Sequence, residues 1–383
     1  MIRKKMIGVL LVLSLCLIFV PAAFAGNLTE EEQLGRISTL EKEVAELKTM
    51  IKSMQSKQAV VTQKVENIEE KTIAGSPAAE SLVSGHKVKM YGFLKLDSSI
   101  DDSKTNNPDA PKYASSEATV SDEKQYAMTA MNTRLGLNYS GSDLGAAKTF
   151  GNVELDFYDT ASDNSQKPRM RHAYFKLNYP RWELLAGQTW DIFGPLGPNT
   201  LNTNGYLWNG GNIGFRRPQV RLTNNFDFNE GKKVVTQLSI NRNIGIANGT
   251  VNTGENSGYP MAQARAAYTF PFLGEKSTIG VAGLYGMEEY NRNDTVTDDN
   301  YDVSQWGVGL DLSTAFNSWL SLKGEFFRGS NLDALLAGIG YGINTTKEEG
   351  VDTRGGWAQL TCKPWDKYAF NLGYGIERLD RKI

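Results

Sequence analysis

The sequence predicts an all-β protein, a transmembrane antiparallel β-barrel with thirteen legible strands, preceded by an α-helical coiled coil. Three observations carry this. From Val88 onward, apolar and polar residues alternate with period two. The connections between these segments alternate between long and short. Between Arg36 and Lys71, apolar residues instead recur at spacings of three and four.

Composition narrows the class. The chain has 383 residues, 22% charged and 40% hydrophobic, with a mean hydropathy of −0.39. No apolar run long enough for a membrane helix follows the N-terminus, which excludes a helical membrane protein. A barrel is not excluded, because its strands alternate lipid-facing apolar residues with polar ones and average out as polar. The 38 glycines, 16 tyrosines, 16 phenylalanines and 7 tryptophans fit tight turns and interfacial aromatics, although a soluble sandwich has similar totals.

Residues 1–25 read as a cleavable export signal. Arg3, Lys4 and Lys5 form a basic region, Ile7 to Val20 an apolar one, and Ala23-Phe24-Ala25 a small-x-small cleavage site. Cys16 lacks the small neighbour of a lipoprotein signal. Cleavage takes the net charge from −2 to −5 and leaves Cys362 as the single cysteine, so no intrachain disulfide is expected.

Residues 30–72 are expected to form a periplasmic coiled coil. Ile37, Val44, Ile51, Gln58 and Val65 fall at a, and Leu40, Leu47, Met54, Val61 and Ile68 at d. Arg36 would face Glu41 of a neighbouring helix, Glu43 would face Lys48, and Lys64 would face Glu69, all of opposite sign. The core residues leave two and three strands open, since Leu at d favours dimers and Val61 with Ile68 favours trimers. Residues 73–86, with Gly75-Ser76-Pro77, break the helix and read as a linker.

The barrel occupies residues 87–383. Its strands are expected at 88–97, 132–140, 152–158, 172–179, 182–190, 215–223, 234–242, 261–270, 278–287, 305–313, 319–328, 355–363 and 368–377. In 305–313, for example, Trp306, Val308, Leu310 and Leu312 share one face and Gln305, Asp311 and Ser313 the other. Long polar connections follow the odd strands and short ones such as Pro180-Arg181 follow the even strands, the rhythm of extracellular loops and periplasmic turns. Single-chain barrels have even strand numbers and usually end on an aromatic strand. The odd number and the ending Glu377 to Ile383 leave two readings, a count off by one or a barrel whose closing strands lie beyond Ile383, and the second is the one expected.

No catalytic constellation is present, and neither an enzyme activity nor a cofactor, metal or nucleic-acid partner is expected. The two histidines are His86, in the linker, and His172, on the pore phase of a strand. The pore phase carries cations: Arg134, His172, Lys176, Arg217, Arg221, Arg265 and Lys323, with Arg216 beside Arg217. Rings of Arg and Lys select anions. The same phase holds Glu154, Asp156, Asp311 and Glu325, which would balance these charges. The connection 191–212, rich in Gly, Pro, Asn and aromatics, suits a loop folded into the lumen or an external cap, and the apolar stretch 332–341 is a second candidate for insertion.

Tyr91-Gly92-Phe93-Leu94-Lys95-Leu96-Asp97, Arg169-Met170-Arg171-His172-Ala173-Tyr174, Leu185-Ala186-Gly187-Gln188-Thr189-Trp190 and Arg216-Arg217-Pro218-Gln219-Val220-Arg221 resemble the DcaP-like trimeric porins. The resemblance covers the coiled coil and the first half of the barrel. It implies a sixteen-stranded homotrimer in the outer membrane of a Gram-negative-type bacterium, surrounded by lipid and lipopolysaccharide. The channel would favour small anionic solutes such as dicarboxylates, with Arg217 and Arg221 as constriction cations. The alternative is a structural tether that bridges the envelope through its coiled coil.

Overall fold

A computed structural model describes residues 80–83, 86–109, 111, 114–116, 123–158, 166–200, 207–245, 253–291 and 300–380. The export signal and the heptads from Ile37 to Ile68 lie outside the described residues.

The strands in chain order are β1 (Glu80–Val83), β2 (His86–Phe93), β3 (Asp97–Asp101), β4 (Gln125–Thr129), β5 (Arg134–Ser140), β6 (Lys148–Asp156), β7 (Arg169–Asn178), β8 (Trp182–Trp190) and β9 (Arg216–Asp227). They continue as β10 (Lys233–Asn241), β11 (Met261–Phe272), β12 (Glu275–Asn291), β13 (Asn300–Asn317), β14 (Leu320–Ser330), β15 (Ile343–Asn344), β16 (Glu349–Gly350), β17 (Asp352–Trp365) and β18 (Tyr368–Leu379). Fourteen of them form one sheet, in the order β1-β2-β5-β6-β7-β8-β9-β10-β11-β12-β13-β14-β17-β18. Every pairing in it is antiparallel. β3–β4 and β15–β16 are hairpins inside two of the long connections. Among the described residues the sheet does not close, and β1 and β18 are its two edges.

The thirteen expected segments correspond to β2, β5 to β14, β17 and β18. The differences are local. Residues 80–83, read as linker, pair with residues 86–89, and His86 opens β2 with its ring stacked on Tyr139. β2 stops at Phe93 because the Lys95 N–H turns from the ladder to the Thr133 hydroxyl, and Asp97 then starts β3 instead of ending β2. β12 and β13 run for 17 and 18 residues and extend past their expected ends.

The two faces of the sheet have reversed polarity for a water-soluble protein. Leu135, Leu137, Val153, Phe175, Val220, Val308, Leu310 and Leu372 are exposed, while Asn152, Glu154, Gln263, Gln305, Asp311 and Gln359 on the other phase are buried. Such an arrangement suits an apolar solvent outside and a polar interior. Aromatic residues gather at the short-turn end, where Tyr179 stacks on Trp182, Phe272 meets Phe316 and Trp365 meets Tyr368. Amphipathic rings favour a boundary between lipid and water. The β11–β12 turn there is two residues long, and Gly274 takes φ +82° at its second position.

Candidate channel interior

The interior of the curled sheet is built from two unlike halves. One half is a charged wall on β2, β5, β6, β7 and β9. Tyr91, Gly136 and Glu154 stand in register across β2, β5 and β6. A side chain at Gly136 would collide with the Tyr91 ring, so the glycine lets that ring lie flat across β5. The Tyr91 hydroxyl then donates to Glu154 Oε2 at 2.9 Å and accepts from Asn152 Nδ2 at 2.8 Å.

Around Glu154 and Asp156 the arginines crowd. Arg171 Nε donates to Glu154 Oε1 at 2.7 Å and its Nη1 to Asp156 Oδ2 at 2.9 Å. Arg169 holds Asp156 through two bonds of 2.8 and 2.7 Å, and Arg134 lies 3.4 Å from Glu154. His172 sits 3.0 Å from the Thr189 hydroxyl and 3.8 Å from Glu154. Arg216 stacks on Trp190 at 4.6 Å and lies in the field of Arg171, Arg169, Asp156 and Arg134. Three arginines thus share two carboxylates, and Arg216 stands beside them without an ion pair among the described residues.

Strict alternation puts Arg171 on the outer face, opposite in phase to His172. The structure places both inside. Glu154 pairs with His172 and Leu155 with Met170, so Arg171 has no opposite number in the ladder and bulges inward. The sequence signal that would have found it is the pair of inward carboxylates on β6, which a lone histidine cannot neutralise.

The other half of the interior is filled by two loops. The connection 191–215 crosses to the far strands, where its backbone is received by inward side chains. Gln263 on β11 accepts the N–H groups of Ile192 and Phe193 at 3.1 and 3.3 Å. Glu325 on β14 accepts that of Leu196 at 2.7 Å. Gln359 on β17 accepts the N–H of Asn199 at 2.8 Å and donates to its carbonyl at 2.9 Å. Of the two placements open for this loop, the structure therefore has the inserted one. The connection 331–351 inserts as well, and Leu332, Leu335 and Ala337 pack with Phe193, Ile213, Met261 and Phe327 into an apolar cluster. Two loop-to-loop bonds tie them, from Asn209 N–H to the Leu336 carbonyl and from Gly214 N–H to that of Leu335.

The expected pore cations have distinct surroundings. Arg217 is fully buried, with Asp191 Oδ2 at 3.0 Å and the Ala334 carbonyl at 3.5 Å, so it clamps both loops to the wall and presents no surface to a solute. Lys176 pairs with Glu183 at 3.0 Å, and Arg265 grips Asp311 through bonds of 3.0 and 2.7 Å. Lys323 donates to Asn199 Oδ1 at 2.9 Å without a carboxylate partner among the described residues. Arg221 is half-buried, and its Nε has no hydrogen-bond partner among the described residues. Arg216, Arg221 and Lys323 are therefore the interior cations without an ion-paired carboxylate. Among the described residues no group of three or more His, Cys, Asp or Glu is placed to hold a metal ion.

The outer membrane channel DcaP of Acinetobacter baumannii superposes on this chain with a TM-score of 0.61 at 20% identity, covering 80% of this chain and 82% of that one. This chain shares the fold of that channel. The likeness to DcaP meets, at the level of the fold, the resemblance carried by the sequence motifs. An anion-selective porin from Comamonas acidovorans aligns at TM-score 0.36 and 11% identity over 77% of this chain and 89% of that one. Salmonella typhi OmpF aligns at TM-score 0.40 and 13% identity over 79% of this chain and all of the other. No family model and no curated protein sequence matches the chain.

Proposed function

We propose that this protein is an outer-membrane porin through which small anionic solutes, dicarboxylates among them, diffuse passively. The observation that carries the reading is the imbalance of the interior. Arg216, Arg221 and Lys323 stand around the inserted loops without an ion-paired carboxylate, while the other candidate cations are locally neutralised. A fixed uncompensated charge in a confined aqueous path concentrates counterions, and delocalised guanidiniums suit carboxylates. The reversed polarity of the two faces and the aromatic rim support a lipid-embedded wall. The inserted loops supply the narrowing that makes such charges felt. In this reading, residues 1–25 direct export, the heptads from Ile37 to Ile68 form a three-stranded periplasmic stalk, and the functional unit is a homotrimer among lipopolysaccharide.

Planar bilayer recording across a salt gradient tests it. Triplet conductance steps with a reversal potential on the anion side are expected, and a cation-selective reversal potential refutes the anionic assignment.

A further inference from the structure

The outer face of β14, β17 and β18 carries a charge arrangement that solute passage does not use. Arg328, Arg354 and Arg378 stand directly opposite one another across the three strands. They share the outward phase with Phe326 and Ile376, both exposed, whereas Glu325 and Trp357 of the other phase are buried. The side chains of Arg328 and Arg354 are 55% and 50% exposed. Like charges placed directly opposite destabilise a sheet unless something neutralises them. Asp380 lies 4.0 Å from Arg328 and 3.6 Å from Arg354, and Arg378 has no ion pair among the described residues. Two guanidiniums thus share one carboxylate, and the third has none among the described residues. Two further carboxylates, Glu349 and Asp352, line a recess of 240 Å³ with Arg328 and Asp380, and neither is ion-paired to the row among the described residues.

Next to the row is an apolar cavity of 500 Å³ on the same outer face. Phe326, Tyr374 and Ile376 wall it, Gly356 keeps its floor low, and Arg354 and Arg378 belong to its lining. Its position along the strand is informative. Tyr368, in the aromatic rim at the short-turn end, and Arg378 are ten residues apart on β18. At ~3.3 Å per residue and a tilt of ~40°, that spacing is about 25 Å, the height of the apolar band of an outer-membrane barrel. The arginine row therefore stands at the opposite edge of the band, where headgroups begin, with the cavity among acyl chains.

We propose that this row and cavity bind a phosphorylated lipid of the leaflet on the long-loop side, with an acyl chain in the cavity and its phosphate on Arg354 and Arg378. Arginine forks match phosphate in a bidentate geometry, and the doubly charged group supplies what Asp380 alone does not. The assignment rests on the reading of the chain as a membrane-spanning porin.

Native mass spectrometry of the full chain in detergent micelles tests it, with diphosphoryl lipid A as probe and the same lipid A stripped of phosphate as control. The phosphorylated lipid is expected to bind the unaltered protein about a hundredfold more tightly than the stripped one, and Arg354→Gln or Arg378→Gln to lose about tenfold each. Arg354→Lys, which keeps the charge, recovers part of that loss. Equal retention of the two lipids by the unaltered protein overturns the proposal without recourse to any variant. Displacement of the lipid by millimolar inorganic phosphate overturns the assignment to a lipid, since it makes the acyl chain dispensable. The arginines face away from the interior, so the Gln variants conduct as the parent does. A protein that retains lipid A but fails to conduct leaves this site standing and removes the porin reading.

Discussion

Arg217 Nε lies 3.0 Å from Asp191 Oδ2, and both side chains are fully excluded from solvent. One residue belongs to the wall and the other to the loop that leaves it, so this ion pair fixes the angle at which the connection 191–215 enters the interior. Asp191→Ala leaves the guanidinium buried without a counterion and is expected to cost about 3–5 kcal/mol. The double substitution Arg217→Met with Asp191→Leu recovers most of that loss. Urea unfolding in detergent micelles, followed by intrinsic fluorescence, measures both.

In the proposed porin, the interior cations without an ion-paired carboxylate set selectivity. A permeating ion roughly 7 Å from a charge in water feels ~0.6 kcal/mol, attractive for an anion and repulsive for a cation, so each unit of charge changes the permeability ratio about sevenfold. Arg221→Glu changes two units and is expected to lower the anion preference about fiftyfold. Replacing Arg265 and Asp311 together by Gln and Asn removes a neutral pair and leaves the ratio unchanged. Reversal potentials in a salt gradient distinguish the two cases.

Phe193 anchors the inserted loop through the apolar cluster and is fully buried. Phe193→Ala is expected to cost about 3–5 kcal/mol, the usual penalty for emptying a large buried site. The freed loop widens the path, and single-channel conductance rises. A conductance equal to that of the parent shows that the narrowing lies elsewhere.

Asp333, on the connection 331–351, couples the second loop to pH. Burial pushes its carboxyl up to about 6 from an ordinary 3.8. The folded state holds this proton more tightly than the unfolded one, so the packed loop is most stable below the unfolded value. Its stability falls as pH rises towards about 6 and levels off above. Conductance noise is expected to increase over that window, and Asp333→Asn to abolish the dependence. Recordings from pH 4 to 7 check it.

Strand phase is legible because the two faces of the sheet differ in polarity. The alternation in 305–313 places Gln305 and Asp311 inside and Val308, Leu310 and Leu312 outside, as found. What period two does not contain is register across strands, and the partner of each charge depends on that. Lys176 meets Glu183 across a tight turn, but Arg265 meets Asp311 two strands away and Arg217 meets a residue of a loop. Nothing in the local pattern around Arg217 distinguishes a clamp from a free pore cation. Arg171 escaped for a different reason: one extra residue in β7 overrides the parity rule where the neighbouring carboxylates draw it in. The fate of the connection 191–215 was undecided because its acceptors, Gln263, Glu325 and Gln359, lie far along the chain.

Those acceptors have a mechanical meaning. A curled sheet held only by hydrogen bonds along its circumference can flatten into an ellipse at little cost, because shear between neighbouring strands is soft. Residues 191–199 leave β8 and are fastened to β11, β14 and β17, so they act as a strut across the curl of the sheet. A strut of this kind holds the curl of the sheet, and in the proposed channel the aperture beside it keeps a fixed width.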